Sequence, residues 1–472
     1  MAGMNLYTDR ADYDIQSLEM LAVYIHDHKM FKNIAFSLHP QYDIEVDTNN
    51  GEIPLLKISK KEKFVDLFKD YGLNVKIICG ENGVGKTTLL NLIRDVSPLS
   101  DKKFLFMDKN GTYISTSEIE LKMSTGKIIN LKEPKLAQDF MIKSVFNKPV
   151  RKEEQEEPLE MLYFIAENAP LFDGIIAESD NKTEKNEYHF LTHFSISEDG
   201  NTENKDKIQS ILGNFPKEGN WIKIESFKEV KAALKQIDTN LPKISFCRKC
   251  GDNFVEYSDF SHGEKKLASL EYHAYNSMEH MRQENDGSSQ IYWFLADEPE
   301  DALHPEWARR FISIYMNAFD AARSYFRKKH EKDSYFELYE KKAKAKFTIL
   351  FATHSPFLLS DVTSDYIIYL KKDSNSGNTV VTKMPHETFA GNIGEMFSEN
   401  FFMENTIGEF ARSKIKKIIT TIKEKGKDGL SDDDNLLIDS IGDDLLKRLI
   451  KEMIDMRETA ISYEKNEPEA KE

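Results

Sequence analysis

Short, nearly unbroken apolar runs punctuate the chain at Val75, Ile77 and Ile78, at Ile291–Ala296 and at Lys346–Ala352. Runs of this kind suit strands buried on both faces, as in a parallel sheet. Leu18–Ile25, Ile34–Leu38 and Tyr42–Val46 read as earlier strands, with His26–Asn33 as a connection. Tyr366–Lys371 and Thr379–Met384 read as two closing strands. Apolar residues recur at helical spacing from Thr88 to Ile93, from Leu267 to Met281 and from Glu306 to Lys329. Thr406–Lys425, Ser431–Ser440 and Gly442–Lys465 form a charged, helical close, and the last residues, rich in Glu, Lys and Pro, are expected to be disordered. Leu55–Tyr71 is lysine-rich and reads as an insertion. Between 98 and 245 the pattern weakens to strand-like pieces at Phe104–Met107, Leu162–Ile165 and Tyr188–Ser195, with a helix in the later part of Trp221–Ile237. Polar stretches such as Arg151–Glu157 and Glu178–Glu187 separate these pieces. No heptad or longer repeat runs through the chain.

The strands and helices predict an α/β fold with a mixed sheet. Four parts follow: 1–97, an inserted middle region 98–245, 246–385, and a helical region 386–472. Composition narrows the setting. At 472 residues and 40% hydrophobic, the chain can bury a large core. Its net charge of −16 disfavours nucleic acid and anionic membrane except at a local basic face. No run suggests a bilayer span or a secretory leader, and three cysteines do not suggest a disulfide framework, so a cytoplasmic setting is expected.

The chemistry gathers at four stations. Gly80, Glu81, Asn82, Gly83, Val84, Gly85, Lys86 and Thr87 fill every fixed position of a G-x-x-x-x-G-K-[ST] loop, between a strand and a helix that continues with Thr88. Glycines there let successive N–H groups point into one concavity, and the helix N-terminus adds positive potential. Lys86 suits the β- and γ-phosphates of ATP, and Thr87 suits Mg²⁺. Asp297 ends the Ile291–Ala296 run and is the expected metal carboxylate. Glu298, pointing to the other side of an extended chain, is the expected base, and His354 the group that stabilises developing charge. Ser261 is placed to cap the helix that follows it, with Gly263 and Glu264 in its first turn.

Phe260-Ser-His-Gly-Glu264, just before a helix and upstream of Asp297, resembles the signature of ABC-type ATPases. Here His262 stands where that family has a small residue. The resemblance implies an ABC-type ATPase head that pairs head to tail, as a dimer or higher oligomer, with Ser261, Gly263 and Glu264 closing on another subunit's nucleotide. Asp297–Pro305 and Ala352–Phe357 look like the soluble RecF, SMC and OLD branch of that AAA-family superfamily rather than the transporter branch. The family's glutamine loop falls nearest Tyr163–Asn168. Phe401-Phe402, Thr406–Ala411 and Ile441-Gly-Asp443 are similar to the ATPase subunit of Septu-type anti-phage systems. That likeness implies a separate HNH-type nuclease partner, with 386–472 as a partner or oligomer interface. After Pro356 the Toprim glutamate motif of OLD nucleases is absent and no Asp-x-Asp reads as its metal site, since Asp432–Asp434 reads as a solvated helix start, so no intrinsic nuclease is expected.

Three features keep two readings each. Lys265, Lys266, Arg323, Arg327–Lys329 and Lys341–Lys346 either form a DNA- or RNA-facing patch, as a RecF-like repair ATPase would need, or cover solvated helix faces. Cys247 and Cys250 are either half a zinc knuckle or two thiols in a tight turn. His26 and His28 are either metal ligands or polar loop residues.

Overall fold

The computed structural model describes residues 19–47, 53–94, 102–108, 111–131, 141–147, 191–196, 205–236, 244–267, 290–330, 347–400 and 407–466, with single positions at 162, 166, 269 and 272. The chain divides into two units, Met1–Met396 and Phe397–Glu472. It mixes helices with parallel and antiparallel sheets.

The first unit is organised around a six-stranded sheet. Its order is Met141–Asn147, Gln290–Asp297, Phe347–Ala352, Leu73–Gly80, Ile367–Lys372 and Thr379–Thr382. The first five strands run parallel and the last antiparallel. Leu73–Gly80 is buried along its whole length, as a strand covered on both faces must be. One cover is the helix Lys86–Arg94, whose Leu89, Leu90 and Ile93 pack with Ile78, Leu350 and Leu370. The other includes the helix Phe311–His330. Its Phe311 and Tyr315 meet the edge of Phe351 at centroid distances of 5.6 and 5.2 Å.

Over the Lys86–Arg94 helix lies an antiparallel sheet of Phe31–Ser37, Glu19–His28, Lys102–Met107 and Tyr113–Ser115, which adds Phe31, Phe36 and Phe104 to the same core. Its opposite face packs through Leu21, Tyr24 and Leu105 onto Ile44, Leu56 and Leu121 of a mixed sheet. That sheet comprises Tyr42–Asp47, Leu55–Lys60, Ile119–Met123 and Ile128–Leu131. A fourth, antiparallel sheet joins Lys217–Glu218, Trp221–Lys223, His193–Ile196, Ile244–Cys250 and Asn253–Glu256. The helix Phe227–Lys235 sends Phe227 against Phe194 and Phe246 of this sheet.

Several expectations change. His26–Asn33 is mostly hairpin strand, with Asp27 opposite Lys32, and only Lys29 and Met30 make the turn. Exposed polar side chains on paired backbone gave that stretch the look of a loop. Leu55–Tyr71 opens as a strand that buries Leu55, Leu56 and Ile58. The stretch 98–245 contributes strands to all four sheets. Of the strand expected at 162–165, only Leu162 is described, and it is helical. The 151–157 and 178–187 stretches and most of the 267–281 helix lie outside the described residues. The helix expected from Glu306 breaks at Arg310 into Pro305–Arg309 and Phe311–His330. Residues 386–396 still belong to the first unit: Thr388 Oγ1 donates to Val362 O at 2.6 Å, and Ala390 N to Ser360 O at 2.8 Å.

The second unit is helical. Glu409–Lys425, Asp432–Asp439 and Asp444–Asn466 enclose Ile418, Ile422, Ile438 and Ile450. Ser431 and Asp434 form a reciprocal capping box, so part of the acidic run at 432–434 serves the helix start. The segment 467–472 lies outside the described residues.

The central sheet buries a lysine in its Leu73–Gly80 strand. Lys76 is 3% exposed and donates to Asp365 O at 2.8 Å. Burial, with Lys61 adding to it, pulls its pKa from 10.5 to about 7 against the pull of Asp43 and Asp365. Because this cation is harder to charge folded than unfolded, the unfolded chain holds more protons between the two values. The penalty is therefore full below about pH 7 and shrinks as pH rises toward 10.5, by at most ~1.4 kcal/mol per pH unit. Lys76→Met is expected to stabilise the fold more at pH 6 than at pH 9, read as the midpoint of urea unfolding at each pH. An equal gain at both would show that Lys76 is not titrating there.

Candidate functional site

The C-terminal ends of three parallel strands meet the Gly80–Thr87 loop. Each glycine of that loop has a positive φ: 147° at Gly80, 78° at Gly83 and 98° at Gly85. At Gly80 a Cβ would stand 2.2 Å from Leu370 O, and at Gly85 it would stand 2.8 Å from Phe31 Cζ. Only glycine fits either place. The loop is also tied from outside. Thr379, 2% exposed, donates its hydroxyl to Val84 O at 2.7 Å and its N–H to Met30 O at 2.9 Å. Sequence reasoning missed Thr379 because nothing at its own position marks it.

Lys86 sits inside this loop, nearly buried. Its ammonium donates to Gly80 O at 3.0 Å and Glu81 O at 3.1 Å, and lies 3.4 Å from His354 Nδ1. Burial lowers its pKa, and the charges of Glu298, Cys79 and Asp297 oppose that. Thr87 Oγ1 donates to Asp297 Oδ2 at 2.7 Å. The Phe347–Ala352 strand lies between Gln290–Asp297, which ends in Asp297, and Leu73–Gly80, the strand that precedes the loop and the helix of Thr87, so the contact reaches past its end. Asn82, Gly83 and Thr87 are exposed, while Glu81 and Thr88 are half-buried.

Glu298 does not continue an extended chain. Its φ is +47°, which costs a non-glycine residue roughly 1–2 kcal/mol. Its N–H donates to Ala352 O at 2.8 Å, locking the turn to the neighbouring strand. The carboxylate reaches His354 Nε2 at 3.3 Å. Burial and the Asp297 charge raise the Glu298 pKa, and Lys86 pulls it down. Burial, then Lys86, lowers the His354 pKa, while Asp297 raises it. A neutral imidazole with its proton on Nε2 fits both contacts, since Nδ1 then accepts from Lys86 and Nε2 donates to Glu298. Lys86, His354 and Glu298 thus form one chain of contacts beside Asp297.

The signature-like stretch lies on a helix over 262–267. Ser261 and Glu264 make a capping box, with Glu264 Oε2 accepting from Ser261 N at 2.9 Å and from its hydroxyl at 2.7 Å. Arg248 pairs with Glu264 at 2.8 Å and stacks over Phe260 at 4.7 Å. Ser261 and His262 are exposed, but Gly263 is buried, and a Cβ there would stand 3.0 Å from Ala302 O. Ser261 does not join the Lys86 cluster. Among the described residues its hydroxyl contacts only Glu264. Lys266, read from sequence only as part of a basic patch, and Glu300, which sequence reasoning missed, also belong to this neighbourhood: Lys266 donates to Glu298 O at 3.0 Å, and Glu300 accepts from the Thr353 hydroxyl. The 163–168 neighbourhood, apart from Ala166, lies outside the described residues.

The donor set decides what could sit here. Three glycine-shaped backbone positions, a buried ammonium and a helix N-terminus fit a triphosphate. A hydroxyl and a carboxylate 2.7 Å apart suit a hard cation that keeps several waters. Among the described residues no cluster of three or more His, Cys, Asp or Glu side chains could hold a metal alone. Cys247 and Cys250 lie on a strand rather than in a tight turn. Three apart, they face opposite sides; Cys247 is buried with its thiol pushed up to about 12, and Cys250 is exposed. Together they cannot grip one zinc ion. His26 and His28 share a strand with one exposed flank. No described helix is long and apolar enough to cross a membrane.

No family model matches the chain, and a search of curated proteins finds no match. Thr379→Val is expected to lower stability by about 1–2 kcal/mol, the cost of leaving Val84 O buried without its donor. Urea unfolding measures it, and an unchanged midpoint would show that Thr379 does not hold the loop.

Proposed function

We propose that this chain is an ATPase of ABC-type head architecture. It would bind Mg·ATP at Gly80–Thr88 and hydrolyse it with Glu298 as base and His354 beside it. The observation that carries the reading is the meeting of Lys86, Thr87, Asp297, Glu298 and His354 at one edge of the central sheet. ATP would supply the γ-phosphoryl group, and Mg²⁺, which Thr87 and Asp297 would hold, would supply positive charge. The chain's own residues do the rest. The loop N–H groups and Lys86 bind phosphate charge, and Lys86 exchanges its carbonyl partners for phosphate oxygens. Glu298 accepts the proton of the attacking water, and neutral His354 orients the Glu298 carboxylate.

The wider role rests on the sequence resemblance. The chain would work head to tail with further copies and control a separate HNH-type nuclease in anti-phage defence. Two observations support this extension. Ser261 and His262 are exposed at the start of a capped helix, where a second copy has access. Phe410, Leu436 and Met456 of the second unit are 80%, 66% and 64% exposed, which suits a docking face.

Lys86→Ala is expected to weaken Mg·ATP binding at least about 10-fold, given ~1.5–3 kcal/mol per charged hydrogen bond. Unchanged affinity by calorimetry would remove the site. Glu298→Gln should keep binding and lose about 10²–10⁴-fold in turnover, because an amide cannot take the proton. Held with ATP, it should sediment as a pair or larger assembly. Wild-type turnover would place the base elsewhere, and a monomer under saturating ATP would end the head-to-tail reading.

A further inference from the structure

We infer that Lys266 is a positioning residue for Glu298: its ammonium clasps the turn that starts at Glu298 and sets where that carboxylate points. The inference rests on the ATPase reading above only for the consequence in turnover. The clasp itself is geometric. Lys266 Nζ donates to Glu298 O at 3.0 Å and to Asp301 O at 2.8 Å. The two carbonyls stand at the two ends of one turn, which also closes on itself through Asp301 N to Glu298 O at 3.0 Å. Two of the five described non-glycine residues with positive φ, Glu298 at 47° and Ala302 at 65°, begin and follow this turn. A turn bounded by two strained residues relaxes unless something holds it.

Holding Glu298 O fixes the peptide plane after the base. The φ of Glu298 is fixed on the other side by its N–H bond to Ala352 O at 2.8 Å. The side chain therefore leaves a backbone clamped at both ends, and its carboxylate meets His354 at 3.3 Å. Without the ammonium, Asp301 O turns to water, Glu298 O keeps only its bond from Asp301 N, and the strained backbone relaxes toward the extended region. The carboxylate then leaves His354. The phosphate loop is untouched, because Lys86 and Thr87 make none of their contacts through Lys266. A methionine keeps most of the apolar stem but neither donor, and an arginine keeps the charge and can serve two carbonyls at once.

The test uses the full-length chain as wild type, Lys266→Met and Lys266→Arg. Amide hydrogen exchange without nucleotide is read over 298–303 and, as control, over 80–90. Lys266→Met is expected to speed exchange in the turn at least about 10-fold and leave the control unchanged, with Lys266→Arg restoring most of the protection. At saturating Mg·ATP, Lys266→Met should lose at least about 10-fold in kcat while KM and calorimetric ATP affinity stay within about threefold of wild type. Unchanged exchange in the turn overturns the inference. So does wild-type kcat, or a loss of ATP affinity as large as the loss of kcat, which would mark general damage. If the wild-type chain neither binds nor hydrolyses Mg·ATP, the ATPase reading fails, and the exchange result still decides whether Lys266 holds the turn.

Discussion

An ammonium taken out of water needs acceptors for its protons, and around Lys86 that need organises the site. Two acceptors come from the loop itself, at Gly80 and Glu81, and the third from His354 at the end of the next strand. The loop and the Phe347–Ala352 strand are therefore bound to each other through one side chain. His354 passes the constraint on to Glu298, and Thr87 ties the start of its helix to Asp297. All of this requires three parallel strands ending at one edge, which is where open α/β sheets place their ligands.

The loop is also shaped by elements remote in sequence. Met30 and Phe31 press on Gly85 from one side, and Thr379 holds Val84 from another. Leu370 O closes the space beside Gly80. A side chain at either glycine would have to displace backbone or an aromatic ring. The glycines of this loop thus answer to packing as much as to any ligand.

The helix at 262–267 is anchored within its own chain on two sides. Arg248 reaches it from the five-stranded sheet through Glu264, and Lys266 leaves it for the 298–301 turn. Gly263 faces inward against Ala302. What remains outward is the helix start, Ser261 and His262. The five-stranded sheet, spanning 193–256, gains through Arg248 a direct mechanical link to that start.

Much of the central sheet was legible because buried parallel strands write themselves as apolar runs. Ile291–Ala296 and Lys346–Ala352 were such runs, and the structure has strands at Gln290–Asp297 and Phe347–Ala352. The glycine loop Gly80–Thr87 was legible because its glycines and lysine lie within eight consecutive positions. The 98–245 stretch was legible only in places, at Phe104–Met107 and in the later part of Trp221–Ile237, since most of its strands are short and carry little pattern of their own. The left-handed backbone of Glu298 was not legible, because it depends on Ala352 and Lys266 rather than on its neighbours. Local sequence determined which residues could bear charge, cap a helix or fill a core. Only tertiary structure decided strand order, the contact of Thr87 with Asp297 past the end of an intervening strand, and the burial of Lys86 and Lys76, because each depends on groups that meet only after the chain has folded.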